Sequence, residues 1–140
     1  MALLSPWMIG LLLSPLAFSS ADDVLGSVDE TLTLPCTYSV KYGTTAMCWG
    51  RGRCPYSDCN MVIIRTDGSS VTRRRSDRHQ LLGNISQGDV SLTITEATKE
   101  DEGTYCCRVK IPGLGNDEKK EIRVEIEDIE ACPDDTDLDA

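Results

Sequence analysis

The sequence has little positive charge and a single histidine, and each scarcity excludes a class of protein. Its 14 Lys and Arg residues are outnumbered by 23 Asp and Glu residues, so the net charge is −9 and no surplus of cations is left to neutralise nucleic-acid phosphates. With His79 as the only histidine and no Cys-x2-Cys pair, a zinc site is not supported. The sequence also contains no Gly-x-Ser-x-Gly motif, so we expect no enzyme.

Long apolar runs are also scarce, so the sequence offers few candidates for a membrane-spanning helix. Residues 1–21 carry no charged side chain and end in the small residues Ser19-Ser20-Ala21, as a cleaved secretory signal does. A spanning helix is the weaker interpretation, because Pro6 and Pro15 interrupt a stretch that is already short. No later apolar run reaches the length of a membrane anchor. We predict a signal peptide over 1–21, passage through the secretory pathway and an extracellular location.

The other end of the chain is acidic. Residues 127–140 hold seven carboxylates and no basic residue. We predict one domain over 22–127, followed by a flexible acidic tail over 128–140. After residue 127 the sequence has no stretch rich in Ser, Thr and Pro that could form a stalk, and no spanning helix. We therefore expect the chain to be either a soluble form or an excerpt of a longer protein. Cys132 lies in the tail, either unpaired or linking two chains.

What the chain does contain is cysteine and β-strand patterns. Seven cysteines in an oxidising compartment are expected to form disulfides. Apolar and polar residues alternate over 31–36, 90–95 and 122–126, and this period of two predicts half-buried antiparallel strands. Thr66-Asp67-Gly68-Ser69 predicts a hairpin turn. No segment of the mature chain has a useful length of helical periodicity, so the fold class is all-β.

Two spacings identify the kind of β-sandwich. Trp49 follows Cys36 by thirteen residues, and Tyr105 stands two residues before Cys107. This order is typical of the immunoglobulin fold, in which Cys36 and Cys107 would bridge the sheets and the tyrosine hydroxyl bonds back to the preceding corner. That disulfide would close about 70 residues and stabilise the fold by about 4 kcal/mol. We predict an immunoglobulin variable-type sandwich.

The residues that precede Cys107 and Trp49 in the sequence are predicted to face away from the core. Successive strand residues face opposite sides, so Cys106 and Cys48 point outward if Cys107 and Trp49 point inward. The two cysteines of the C–C′ loop bring the number on that face to four. Their pairing stays open, but any disulfide from the loop to Cys106 would tie the loop flat against the front sheet. The C–C′ and F–G loops would then lie side by side and form a cleft.

Six stretches carry a family signal: Met47-Cys48-Trp49-Gly50, Cys54-Pro55-Tyr56-Ser57-x-Cys59, Ile64-Arg65-Thr66-Asp67-Gly68, Gly88-Asp89-Val90-Ser91-Leu92-Thr93-Ile94, Tyr105-Cys106-Cys107-Arg108-Val109 and Ile111-Pro112-Gly113-Leu114-Gly115-Asn116-Asp117. Over roughly residues 22–127 the chain resembles the immunoglobulin variable domain of the T-cell immunoglobulin and mucin-domain receptors, and looks closest to their third and fourth members. The resemblance implies three intradomain disulfides, namely Cys36–Cys107, Cys48–Cys59 and Cys54–Cys106.

The resemblance also implies a function. Members of this family recognise phosphatidylserine on membranes in the cleft between the C–C′ and F–G loops, with a bound calcium ion. Asn116 and Asp117 match the family's metal-binding pair. Their side-chain oxygens, with main-chain carbonyls near Ile111 and Gly113, are hard ligands that suit calcium. The ion would bridge to the lipid's phosphate or carboxylate and so hold an anionic head group on a weakly acidic domain.

The tip of the F–G loop departs from the family. Lipid-binding members commonly carry Trp-Phe before Asn-Asp, whereas this chain has Leu114 and Gly115. A buried Leu contributes only about 1.5–3 kcal/mol and Gly almost nothing, so we expect weaker membrane anchoring.

Several residues keep two interpretations. Arg108 is either a cleft residue or the partner of Asp117 in a salt bridge across the loop base, which competes with calcium for that carboxylate. Ser57 and Asp58 either line the cleft or are merely solvated. The run Arg73-Arg74-Arg75 is expected to protect a sheet edge from aggregation, and contact with anionic lipids or sialylated glycans is the lesser interpretation. Asn84 begins an Asn-Ile-Ser sequon and is predicted to be glycosylated.

The leading alternative function belongs to another class. An immune receptor domain of this kind could bind an immunoglobulin-like or lectin partner through its front sheet instead of a lipid. Liposome binding with calcium and then with chelator separates the two hypotheses.

Overall fold

A computed structural model describes residues 22–111 and 117–128, which form nine β-strands and two short 3₁₀ helices. The strands are β1 (Asp22–Ser27), β2 (Leu32–Leu34), β3 (Met47–Arg51), β4 (Val62–Thr66), β5 (Val71–Arg74), β6 (His79–Gln80), β7 (Leu92–Ile94), β8 (Gly103–Val109) and β9 (Glu118–Glu127). The 3₁₀ helices are Ile85–Gln87 and Lys99–Asp101. Within these ranges no helix has the length and apolar character needed to cross a membrane. The predicted signal peptide and residues 129–140 of the predicted tail, Cys132 included, lie outside the described residues.

Two sheets face each other across the core, as predicted for an immunoglobulin variable-type sandwich. The front sheet has six strands in the order β1-β9-β8-β3-β4-β5, and the back sheet has three in the order β2-β7-β6. Neighbouring strands are antiparallel except for β1 and β9, which run parallel. Strands β3, β4, β8 and β9 are strands C, C′, F and G. The C–C′ loop (residues 52–61) and the F–G loop (residues 110–117) therefore come from adjacent strands.

The predicted hairpin joins β4 to β5. Gly68 has φ +105° there, a left-handed conformation that a residue with a Cβ atom rarely adopts. The turn ends β4 at Thr66 and returns the chain as the edge strand β5. It places the predicted arginine run at the free edge of the front sheet.

The core forms around the predicted disulfide and tryptophan. Cys36 and Cys107 are bonded across the two sheets, and Trp49 lies opposite Cys107 in the register of β3 and β8. The Trp49 side chain is fully buried, and its indole Nε1 donates a 2.8 Å hydrogen bond to the Val90 carbonyl. The polar atom of the largest core side chain is thereby satisfied without water.

Tyr105 forms the predicted corner at the base of β8. Its hydroxyl donates a 2.6 Å hydrogen bond to the Asp101 carbonyl, and burial raises the pKa of this phenol to about 12. The Arg51 guanidinium lies 4.7 Å from the centre of the Tyr105 ring. The Asp101 carboxylate accepts two 3.0 Å hydrogen bonds from Arg78, so the corner is held by an ion pair as well.

The remaining two disulfides have the pairing that the family resemblance implies. Cys48 is bonded to Cys59, and Cys54 is bonded to Cys106. Cys48 and Cys106 are buried, yet they are not part of the hydrophobic core cluster that contains Cys107. They therefore lie on the outer face of the front sheet, as strand alternation predicts, and are covered by the C–C′ loop.

Candidate functional site

The C–C′ loop is bonded covalently to the front sheet at two points. Cys59 near its end joins Cys48 on β3, and Cys54 near its start joins Cys106 on β8. The two Cα–Cα distances are 6.3 Å and 5.0 Å, so the loop backbone lies directly against the strands. This arrangement folds the loop across the sheet toward the F–G side.

Arg108 connects this loop to the F–G loop. It lies opposite Cys48 in the register of β3 and β8, and only 4% of the residue is exposed. Its Nε donates a 2.8 Å hydrogen bond to Asp117 Oδ2, while Nη1 and Nη2 donate to the carbonyls of Pro55 and Tyr56 at 2.8 and 2.9 Å. A buried charge is costly unless it is paired and hydrogen-bonded, and this guanidinium is both. One side chain thus binds both loops.

The Arg108–Asp117 salt bridge, left open by the sequence, is therefore present. The Asp117 side chain is 21% exposed and also accepts a hydrogen bond from the Ile111 amide. The hydrogen bond from Arg108 is the main cause that holds the pKa of this carboxyl below its usual value, so it is charged at neutral pH. A carboxylate has about four lone-pair sites, so two hydrogen bonds leave capacity for a further partner.

Glu121 is a second residue that holds the C–C′ loop against the front sheet, and the sequence did not predict it. Its Oε2 accepts a 2.8 Å hydrogen bond from the Cys54 amide, and its Oε1 lies 3.7 Å from Arg53 Nε. Glu121 is opposite Cys106 in the register of β8 and β9, which places it beside the disulfide that holds the same end of the loop. Only this cross-strand register reveals the contact.

Asp58 is exposed, with a side chain 50% accessible to solvent, and it is also ion-paired. Its carboxylate oxygens accept hydrogen bonds of 3.1 and 3.2 Å from the two terminal nitrogens of Arg65 on β4. This hydrogen bonding is the leading cause that lowers the Asp58 pKa. Asp58 therefore fastens the far end of the loop to the C′ strand. Ser57 is exposed on the loop, next to Tyr56, whose side chain is 99% exposed.

The predicted calcium ligands are only partly described. Ile111 and Asp117 lie at the two ends of the F–G loop, whereas Gly113, Leu114, Gly115 and Asn116 fall outside the described residues. Within 22–111 and 117–128, no three His, Cys, Asp or Glu side chains are grouped to hold a metal. Among the predicted calcium ligands, Asp117 would supply a carboxylate, and the others would supply amide and carbonyl oxygens. Those donors are of the hard kind that calcium requires.

Asn84 lies in the loop between β6 and β7. It is exposed and caps the first 3₁₀ helix, with Oδ1 accepting hydrogen bonds from the Ser86 amide and hydroxyl at 3.1 and 2.9 Å. The sequon is therefore presented at the surface, and its glycosylation stays a prediction.

Comparison with known proteins gives one family. The model of the immunoglobulin V-set domain matches residues 19–127. The curated relatives include the rat protein "Hepatitis A virus cellular receptor 1 homolog", 50% identical over 83% of this chain and 38% of its own length. The human "T-cell immunoglobulin and mucin domain-containing protein 4" is 46% identical over 75% of this chain and 27% of its own. The chain thus spans well under half the length of these curated relatives.

Solved structures agree with these sequences. One is "Tim-1", with a TM-score of 0.76 and 48% identity over 79% of this chain and 96% of that one. Another is "Tim-4 in complex with phosphatidylserine", with a TM-score of 0.71 and 43% identity over 76% of this chain and 99% of that one. These identities differ little, so they do not assign the chain to one member.

Proposed function

The chain belongs to the immunoglobulin V-set family and, within it, to the T-cell immunoglobulin and mucin domain group, and from this premise we propose that it recognises phosphatidylserine, with calcium, between its C–C′ and F–G loops. The relative solved in complex with phosphatidylserine supports the ligand. The protein is proposed to act as the extracellular domain of a membrane receptor or as a secreted form. Its predicted signal peptide and the exposed sequon at Asn84 suit that location.

The observation that carries the proposal is the position of Arg108. Its three hydrogen bonds hold the carbonyls of Pro55 and Tyr56 beside Asp117, so the two loops are preorganised next to each other. A ligand that enters between them does not have to order either loop base, and this saving favours binding. The two disulfides of the C–C′ loop support the same rigidity.

Arg108 itself leaves little charge for an anionic head group, because it is buried, it is paired with Asp117, and two further N–H groups donate to carbonyls. Calcium, when bound, would supply positive charge for the lipid's phosphate or carboxylate. Asp117 and Asn116, with the carbonyls of Ile111 and Gly113, would hold the ion. Asp117 suits this role, since it is charged at neutral pH and one-fifth exposed.

The residues around the head group have separate roles. Ser57 offers a hydroxyl at the exposed tip of the C–C′ loop, and Asp58 keeps that tip in place through Arg65. Leu114 and Gly115 are proposed to meet the acyl boundary with little apolar area, which predicts weak anchoring.

The test is a flotation assay with phosphatidylserine and phosphatidylcholine vesicles, each with calcium and then with chelator. We expect binding only to phosphatidylserine and only with calcium. Asp117→Asn should lose that binding. Asp128→Asn, which replaces an exposed carboxylate just after β9, should not. Binding that survives the chelator would contradict the calcium assignment. If neither vesicle is bound, the alternative of a protein partner on the front sheet becomes the leading function.

A further inference from the structure

Four arginines lie at or beside the free edge of the front sheet. Arg73 and Arg74 end the edge strand β5, Arg75 follows them, and Arg65 comes from the neighbouring strand β4. With Val62 they line a concavity of about 570 Å³, which we call the arginine groove (Val62, Arg65, Arg73, Arg74 and Arg75). The groove is concave and open, so a ligand can enter it from the side of the domain.

Most of the charge of this groove is unpaired in the described part of the chain. Asp58 pairs with Arg65, but over residues 22–111 and 117–128 no carboxylate lies within 4.0 Å of Arg73, Arg74 or Arg75. The other arginines of β3 and β8, Arg51 and Arg108, donate hydrogen bonds to backbone or carboxylate oxygens. Three exposed positive charges thus remain together on a chain whose net charge is −9.

The strand register brings like charges together. Arg73 lies directly opposite Arg65 in the pairing of β4 with β5, and Arg75 donates its backbone amide to the Ile63 carbonyl at 2.8 Å. Like charges at directly opposed positions of two strands are destabilising. Edge protection explains charge at this position. An anion that bridges the guanidinium groups would turn the repulsion into attraction.

The groups and their spacing indicate the class of anion. A guanidinium presents a planar fork that fits a sulfate or carboxylate with two parallel hydrogen bonds. Residues two apart on a strand share a face at a spacing of about 7 Å, so Arg73 and Arg75 present charges along the edge, and Arg65 lies opposite Arg73 on β4. We propose that the arginine groove binds a sulfated polysaccharide chain of the cell surface or matrix. A flat bilayer would fit less well, because it touches protruding groups and does not enter a concave edge.

The groove is linked to the C–C′ loop through the Arg65–Asp58 ion pair, and the variants tested below leave that pair intact. Arg65 and Arg73 lie in the same transverse row of the sheet as Arg108, but strand β3 separates the two strands of the groove from β8, which leads into the F–G loop. A polysaccharide running along the edge of the sheet would leave the loop tips free. Binding at the two sites can therefore be measured separately on the same chain.

The test measures the affinity of the whole chain for a short heparin oligosaccharide and for the same oligosaccharide after desulfation. We expect the sulfated probe alone to bind, and with an affinity that falls as salt rises. Arg73→Gln with Arg75→Gln should weaken binding by about tenfold or more, since each removes a charge-assisted contact. Arg73→Lys with Arg75→Lys keeps the charge but lacks the fork, so its loss should be smaller.

The matched control removes two exposed cations elsewhere, Lys41→Gln with Arg123→Gln. It should bind heparin as the wild type does, and thermal unfolding should show that every variant is folded. Equal losses of heparin affinity in the control and groove variants would mean that only net charge matters, and would overturn the proposal. Equal binding of the desulfated and sulfated probes would overturn it as well. Phosphatidylserine vesicles should bind the groove variants normally. A parallel loss there would identify the patch as a membrane contact instead.

Discussion

Cys106 and Cys107 are neighbours in β8, yet their disulfides lie on opposite faces of the front sheet. Cys107 joins Cys36 within the core, and Cys106 joins Cys54 in the C–C′ loop. The strand alternates its side chains, so one dipeptide links the back sheet on one side and the loop on the other. The fold and the position of the candidate site are therefore coupled through two consecutive residues.

The first prediction concerns these bonds. Replacing both Cys54 and Cys106 by Ala should lower the free energy of unfolding by about 4 kcal/mol, because the disulfide closes a segment of 52 residues. Replacing Cys48 and Cys59 should cost about 3 kcal/mol, because that segment is only 11 residues. Urea unfolding measures both values. A Cys54–Cys106 variant as stable as the wild type would contradict the loop-closure account.

The second prediction concerns Arg108. Arg108→Lys keeps the charge but cannot serve Asp117 and both loop carbonyls at once, so it should cost roughly 1–3 kcal/mol of stability. Amide hydrogen exchange over residues 52–61 should accelerate, because the loop loses its non-covalent contacts with β8. Arg123→Lys, an exposed position on β9, is the control and should change neither quantity. Unchanged exchange in the Arg108 variant would show that the disulfides alone hold the loop.

The third prediction is a pH dependence at Asp117. Its pKa is lowered in the folded state, so its contribution to stability is present above the unfolded pKa of about 3.9 and is lost as pH falls through the folded value. The stability difference between the wild type and Asp117→Asn should be constant from about pH 6 to 8 and shrink below about pH 4. Thermal unfolding in calcium-free buffer measures it. No difference at any pH would mean that the salt bridge does not stabilise the fold.

The fourth prediction concerns the tyrosine corner. Tyr105→Phe removes the hydroxyl that donates to the Asp101 carbonyl and should cost about 1–3 kcal/mol. The Tyr105 pKa is raised to about 12, so its contribution is complete below about pH 10 and is lost as pH rises through the folded value. Tyrosinate absorbance should show one late-titrating phenol that is missing from the variant. Tyr56→Phe, at a fully exposed position, is the control for both measurements.

The fifth prediction tests the tip of the F–G loop. Leu114→Trp with Gly115→Phe adds two large aromatic side chains that favour the membrane interface. The double variant should bind phosphatidylserine vesicles more tightly but gain little for a soluble short-chain analogue. Equal gains for both ligands would mean that the tip shapes the cleft. If neither ligand gains, the loop does not face a bilayer.

Local periodicity was enough to predict the sandwich and its core. Trp49, Cys107 and Tyr105 occupy positions that alternation and spacing determine, since strand residues two apart share a face. The hairpin at Gly68 was equally local. The pairing of the other four cysteines was not derivable in this way. Strand alternation put Cys48 and Cys106 on the outer face beside two loop cysteines without choosing partners, and the family resemblance supplied the choice.

The contacts of the C–C′ loop depend on register, and this limited their prediction. The Asp58–Arg65 pair spans a loop and crosses to β4, while Glu121 reaches the Cys54 amide only because β9 aligns it with Cys106. Nothing in the sequence spacing of these residues indicates that they are in contact. The Arg108–Asp117 pair was foreseen as one of two alternatives, because both residues flank a single loop.

The contacts of Arg108 with the C–C′ loop have an evolutionary consequence. They involve the main-chain oxygens of Pro55 and Tyr56 and no side chain of the loop tip. The shape of the tip is therefore insensitive to the identity of Tyr56 and Ser57, both of which are exposed. Substitutions at these two positions can alter ligand preference while the backbone stays where it is. Relatives that share the disulfides and the arginine can diverge in specificity without having to evolve a new loop structure.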